Sequence, residues 1–224
     1  MEKIDWFNWC IMQSDPRDWK LWSSTISEIP NLLSQVRYEY NQLEYASQFG
    51  RYLCTLYAPI GMLSTEMQTI IESKDRRILC DLRTKMSDFS PRVWGYLVEG
   101  ANCVRKWWNS QKPDASISQY AVNIHSDEFD ELVAKWHRVN IGLRWNLSYN
   151  IDASDGILDN VNIGNTTYWH STTIRKMTNN LHNWIFVIDS YFWEKTHNIY
   201  GFKNFLEFIK SGLVYETAYV FLKN

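Results

Sequence analysis

Glycine and proline are scarce in this 224-residue chain, which has 9 Gly and 5 Pro. Collagen-like and low-complexity chains need far more of both, and a hydrophobic content of 45% excludes a largely disordered protein. The sequence also lacks an uninterrupted apolar run of the roughly 18 to 20 residues that cross a bilayer. The best window, Trp184 to Phe192, is short and contains Asp189. These absences predict a soluble globular protein that does not span a membrane.

An excess of charge of one sign is absent as well. The chain has 23 Lys and Arg against 25 Asp and Glu, which gives a formal net charge of −2. Proteins that bind nucleic acid usually carry a basic excess, because neutralising phosphates supplies most of their non-specific affinity. The composition therefore gives no strong sign of a nucleic-acid partner.

Cysteines are few and widely separated. Cys10, Cys54, Cys80 and Cys103 form no C-x-x-C pair and lie among apolar residues, which favours reduced thiols in the core of an intracellular protein. Acidic residues interrupt the first ten positions, which therefore do not resemble a secretion signal. We expect a cytoplasmic protein.

The strongest motifs of enzymes are missing. The sequence has no phosphate loop, dinucleotide-binding glycine turn, H-E-x-x-H helix or G-x-S-x-G elbow, so no cofactor and no metal is predicted. His125 precedes Ser126, Asp127 and Glu128, but a cap followed by acidic residues in a first helical turn explains this group without a metal.

Apolar spacing and proline positions predict an all-α protein with seven or eight helices in one irregular bundle, residues 1–224. A division near Pro113, into 1–113 and 114–224, is a second option. Pro59 interrupts a helical run, so a kink or a break is expected near Tyr57. The predicted helices are 16–28, 30–49, 51–73, 75–87, 91–110, 126–149, 166–197 and 202–222.

The segment 126–149 has the clearest helical pattern. Apolar residues recur there at intervals of three and four, and Ser126 is the expected N-cap. The apolar positions are Phe129, Leu132, Val133, Trp136, Val139 and Leu143.

Aromatic residues make up 16% of the chain, including 12 Trp. Phe186 and Trp193 lie opposite the main apolar arc of the predicted helix 166–197, and Trp107 and Trp108 follow a basic pair near a helix end. These four aromatics are candidate interface residues. The leading hypothesis is a non-catalytic protein that acts by contact, as a subunit, adaptor or inhibitor, with a protein partner or as a homodimer.

Arg175 and His182 are separated by six residues within the predicted helix 166–197. This spacing resembles the Arg-x6-His motif of the HEPN family of helical ribonucleases. The resemblance implies a dimeric, metal-independent enzyme in which Arg175 stabilises the transition state and His182 is the acid–base group. RNA is a partner under this alternative only. A further alternative is a small hydrophobic ligand bound inside an aromatic-rich helical bundle.

Overall fold

The computed structural model of the protein describes residues 53–87, 89–90, 93–135, 137–145, 157–158, 168–177, 184–188, 199–203 and 205–224. The predicted helices 16–28 and 30–49 lie outside these residues, and so do Cys10 and Trp136.

Helices form the first part of the described chain. Three observed helices agree with the predicted helices 51–73, 75–87 and 91–110. The first observed helix continues through Tyr57 and Pro59, so the break expected there is absent. A 3-10 turn, Pro113–Ala115, follows the third helix. The helices are α1 (Cys54–Met67), α2 (Ser73–Thr84) and α3 (Leu97–Gln111), with a ribbon of β1 (Phe89–Ser90) and β2 (Val93–Trp94) between α2 and α3.

A seven-stranded sheet forms most of the second part. Its strand order is β3-β9-β4-β6-β7-β8-β5, and every pair is antiparallel except β5 with β8. The strands are β3 (Ile117–Asn123), β4 (Val139–Trp145), β5 (Ile157–Leu158), β6 (Tyr168–Met177), β7 (Trp184–Ile188), β8 (Ile199–Lys203) and β9 (Thr217–Lys223). Two short helices lie between strands, α4 (Asp127–Ala134) and α5 (Phe205–Lys210).

The expectation of an all-α protein is wrong, because the predicted helix 166–197 contains the strands β6 and β7, and the predicted helix 202–222 contains most of β9. β6 includes the run Ser171 to Ile174, in which three of four residues are β-branched. Such side chains lose rotamer freedom in a helix and pack well on a pleated sheet. This local preference outweighed the helical spacing of the apolar residues.

The predicted helix 126–149 is correct at its start and wrong at its end. The Ser126 hydroxyl accepts a hydrogen bond from the Phe129 N–H at 3.3 Å, which confirms the cap. The helix ends at Ala134, and Val139 begins a strand. Val139, Ile141 and Leu143 alternate along β4 and are all buried, so these apolar residues follow the period of a strand.

Two hydrophobic cores lie on opposite faces of the sheet. Along β9, Ala218, Val220 and Leu222 belong to a core shared with α4 and α5. Tyr219 and Phe221 belong to a second core, formed with α1, α2 and α3. The helical layer of α1 to α3 therefore packs on one face of the sheet. Whether the chain divides into two domains near Pro113 stays a prediction.

Among the residues that the structure describes, no helix has the length and apolar character needed to cross a bilayer.

Candidate active site

Cys54 is the first residue of helix α1 and is fully buried. Leu53 precedes it at the N-cap and provides no side-chain hydrogen bond, and the first turn of α1 contains no acidic residue. The backbone N–H groups at the start of a helix carry partial positive charge and stabilise an anion placed there. A thiolate is the reactive form of cysteine, so this end of α1 suits a nucleophilic sulfur.

Helix α1 is attached to strand β6 near the middle of both elements. The Thr173 hydroxyl donates a hydrogen bond to the Ala58 carbonyl at 3.1 Å. A Cβ placed on Gly61, one turn further along, would lie 3.9 Å from the same hydroxyl oxygen. These contacts establish where the helix lies over the strand.

Glu66 shows the direction in which α1 runs over the sheet. One carboxylate oxygen accepts a hydrogen bond from the Lys223 N–H at 2.9 Å, and the other lies 3.4 Å from Nδ1 of His137. His137 comes just before Val139, which is paired with Ile174 in β6. The C-terminal end of α1 therefore lies towards the C-terminal end of β6.

His170 lies at the other end of β6, where it pairs with Leu143 and is fully buried. From Ala58 back to Cys54 is about 6 Å along the helix. From Thr173 back to His170 is about 10 Å along the strand. His170 is therefore level with the end of α1 that carries Cys54. By strand alternation, however, its side chain starts from the face of β6 opposite to that of Thr173, and its partner Leu143 belongs to the core formed with α4 and α5. His170 and Cys54 therefore lie on opposite sides of the sheet.

The other described histidines lie elsewhere. His137 contacts Glu66, and Glu66 is about 18 Å from Cys54 along the axis of α1. His125 is exposed in the turn between β3 and α4. None of the three histidines that the structure describes is therefore placed next to Cys54.

Helix α3 supports the start of α1 by a close backbone approach. A Cβ placed on Gly100 would lie 1.7 Å from the Thr55 carbonyl oxygen. In a regular α-helix this carbonyl accepts a hydrogen bond from the N–H of residue 59, but Pro59 has no N–H. Gly100 therefore packs directly against the turn of α1 that begins with Cys54.

Three half-buried side chains lie near the N-terminal end of β6, next to His170. Trp169 directly precedes His170, and its ring lies 6.2 Å from that of Tyr215 at an interplanar angle of 78°. The guanidinium carbon of Arg144 lies 5.9 Å from the centre of the Trp169 ring. We call Arg144, Trp169 and Tyr215 the Arg144 cluster.

The residues predicted to be catalytic are not brought together as a helical motif. Arg175 lies in strand β6, where its side chain is not among those described, and His182 lies outside the described residues. Among the residues described, no group of three or more His, Cys, Asp or Glu could hold a metal ion.

The four interface candidates occupy different surroundings. Trp107 and Trp108 are 8% and 7% exposed, so they pack in the core around α3. The indole of Trp108 donates a hydrogen bond to the Ala115 carbonyl at 2.7 Å. Phe186 lies in strand β7 with its side chain outside the description, and Trp193 is outside it altogether.

Sequence reasoning missed Cys54 as a candidate nucleophile. It interpreted Cys54 as a core thiol, which agrees with its burial. The signal that could have found it is a cysteine that opens an apolar helix.

Solved structures of cysteine proteases have a similar fold. The digestive procathepsin L2 proteinase from the larval midgut of Tenebrio molitor is 12% identical, with a TM-score of 0.58 over 96% of this chain and 78% of that chain. The ragweed pollen allergen Amb a 11, a cysteine protease in its proform, is 12% identical, with a TM-score of 0.53 over 90% and 74%. No family model and no curated protein matches the sequence.

These likenesses show that the chain shares the α+β fold of these solved structures. The hypotheses of a non-catalytic helical contact protein, a HEPN-like ribonuclease and a ligand-binding helical bundle all assumed an all-α chain. The observed fold therefore corrects them.

Proposed function

We propose that the protein is a cysteine peptidase in which Cys54 is the nucleophile. The observation that carries the proposal is the position of Cys54, at the N-terminus of a helix whose first turn contains no acidic residue. Two solved structures with a similar fold are named as a proteinase and a cysteine protease, which supports the same chemistry.

The reaction follows from the role of the sulfur. A general base takes the proton of the Cys54 thiol, and the sulfur attacks the carbonyl carbon of the peptide bond. The resulting tetrahedral intermediate collapses, the C–N bond breaks, and the protonated base gives its proton to the departing amine. Water, deprotonated by the same base, then hydrolyses the thioester, which releases the acid and restores the thiol.

Burial limits access to this site. Cys54 is 0% exposed, so hydrolysis requires a movement that uncovers the sulfur. Both similar structures are of precursor forms, a procathepsin and a proform. We therefore expect low peptidase activity in the full chain and higher activity after limited proteolysis.

The first test is peptide hydrolysis under reducing conditions, before and after limited proteolysis. Cys54→Ser is expected to lower kcat/KM by a factor of at least about 1,000, because the hydroxyl is a far weaker nucleophile than the thiolate. Iodoacetamide is expected to abolish activity and to alkylate Cys54, as identified by mass spectrometry of the modified peptide.

Two variants serve as matched controls. Cys80→Ala removes another buried thiol, and His125→Gln removes an exposed imidazole, so both are expected to keep the activity. Peptide hydrolysis that survives in Cys54→Ser, or its absence from wild type both before and after proteolysis, would overturn the proposal.

A further inference from the structure

The Arg144 cluster lies on the face of the sheet that packs against α1. Arg144 and Trp169 are directly paired across β4 and β6. By strand alternation, Trp169 shares its face of β6 with Thr173, whose hydroxyl contacts α1. The cluster therefore belongs to the same side of the sheet as helix α1.

The cluster lies beyond the end of α1 that carries Cys54. Four strand residues separate Thr173 from Trp169, about 13 Å along β6. Four helical residues separate Ala58, the partner of Thr173, from Cys54, about 6 Å along α1. Trp169 therefore lies further along the sheet than the start of α1. Its ring borders, from the sheet side, the space next to Cys54.

The backbone around the cluster is firmly held. The Arg144 N–H donates a hydrogen bond to the Leu213 carbonyl at 2.7 Å, and the Tyr215 N–H donates one to the Gly142 carbonyl at 2.9 Å. Val214 bridges to Leu143 between these two bonds. The segment 213–215 is thus hydrogen-bonded along β4, and this fixes the backbone positions from which the Arg144 and Tyr215 side chains extend.

The cluster also presents a positive charge. Arg144 is half-buried, and none of the ion pairs found among the described side chains involves its guanidinium. A guanidinium lying against an aromatic face keeps N–H groups on its rim, and these can form a forked pair of hydrogen bonds with a carboxylate. Such charge-assisted bonds are stronger than neutral ones.

We infer that Arg144, supported by Trp169 and Tyr215, selects peptide substrates with an acidic side chain close to the scissile bond. The inference rests on the proposed peptidase function and names its substrate class. The carboxylate of a substrate Glu or Asp accepts hydrogen bonds from Arg144, while the aromatic rings contact the aliphatic part of that side chain.

The test uses pairs of peptides that differ only by Glu or Gln, placed in turn at each position near the cleavage site. Wild type is expected to prefer Glu at one position by about tenfold or more in kcat/KM. Arg144→Gln is expected to remove this preference while still cleaving the Gln peptide, which shows that its catalytic site is intact.

Two further variants sharpen the result. Arg77→Gln removes an exposed arginine of α2 and is expected to keep the Glu preference. Arg144→Lys keeps the charge but not the planar fork, so it is expected to keep part of the preference. A Glu preference that is absent, or that survives in Arg144→Gln, overturns the inference alone. Failure of wild type to cleave any peptide, before or after limited proteolysis, overturns the peptidase function and the inference together.

Discussion

Glycine at position 100 is required by a contact that the sequence does not reveal. Thr55 and Pro59 both lie in α1. In a regular helix the N–H of residue 59 donates a hydrogen bond to the carbonyl of residue 55, but Pro59 has no N–H. Gly100 brings the backbone of α3 against this carbonyl instead. A side chain at position 100 would push α3 away from the turn that carries Cys54.

Gly100→Ala is expected to lower the free energy of unfolding by about 1 to 3 kcal/mol, because backbone atoms would have to shift to admit the methyl group. Gly61→Ala is the matched control in α1. A Cβ there meets only an ordinary contact at 3.9 Å, and Ala is a better helix former than Gly by about 0.5 to 1 kcal/mol. Denaturant unfolding of both variants should give changes of opposite sign. Equal stability of the two would contradict the tight approach of α3 to α1.

Helix α4 shows how far local sequence specifies an element. Its start depends on neighbouring residues, because the Ser126 hydroxyl bonds to the N–H three positions later. Its end and the strand that follows depend on distant residues, since β4 pairs with β6 and β9. The start of α4 was therefore predictable, and its end was not.

Ser126→Ala is expected to lower the free energy of unfolding by about 1 kcal/mol through loss of the N-cap. Ser110→Ala serves as the control, because the Ser110 hydroxyl donates to the Trp107 carbonyl within the last turn of α3 and caps no helix start. We expect that control to change stability by less than about 0.5 kcal/mol. A loss no larger in Ser126→Ala than in Ser110→Ala, measured by thermal or urea unfolding, would show that the cap contributes little.

At the scale of the molecule, Glu66 connects the helical layer to the sheet. It is 5% exposed and reaches both the start of β4, through His137, and the end of β9, through Lys223. These contacts lie at the end of α1 opposite to Cys54. Glu66 therefore holds the two layers together at a distance from the candidate active site.

Glu66→Ala is expected to lower the free energy of unfolding by about 1 to 3 kcal/mol, since it leaves the Lys223 N–H without its acceptor at a part-buried position. Glu72→Ala is the control, because Glu72 is exposed and its ion pair is with the exposed Lys74. Urea unfolding of the two variants should separate them clearly. A Glu66→Ala protein as stable as Glu72→Ala would show that this contact does not hold the layers together.

The sequence by itself determined that the chain folds around a large apolar core, that three helices cover much of 51–110, and that Ser126 begins another. These features depend on composition, on apolar spacing and on hydrogen bonds between near neighbours. Only the tertiary structure decided that β4, β6 and β9 are strands and that the Arg144 cluster lies next to the end of α1 that carries Cys54. A strand makes its hydrogen bonds with residues far away in the sequence, so its partners, and the side chains that they bring together, are set by the fold as a whole.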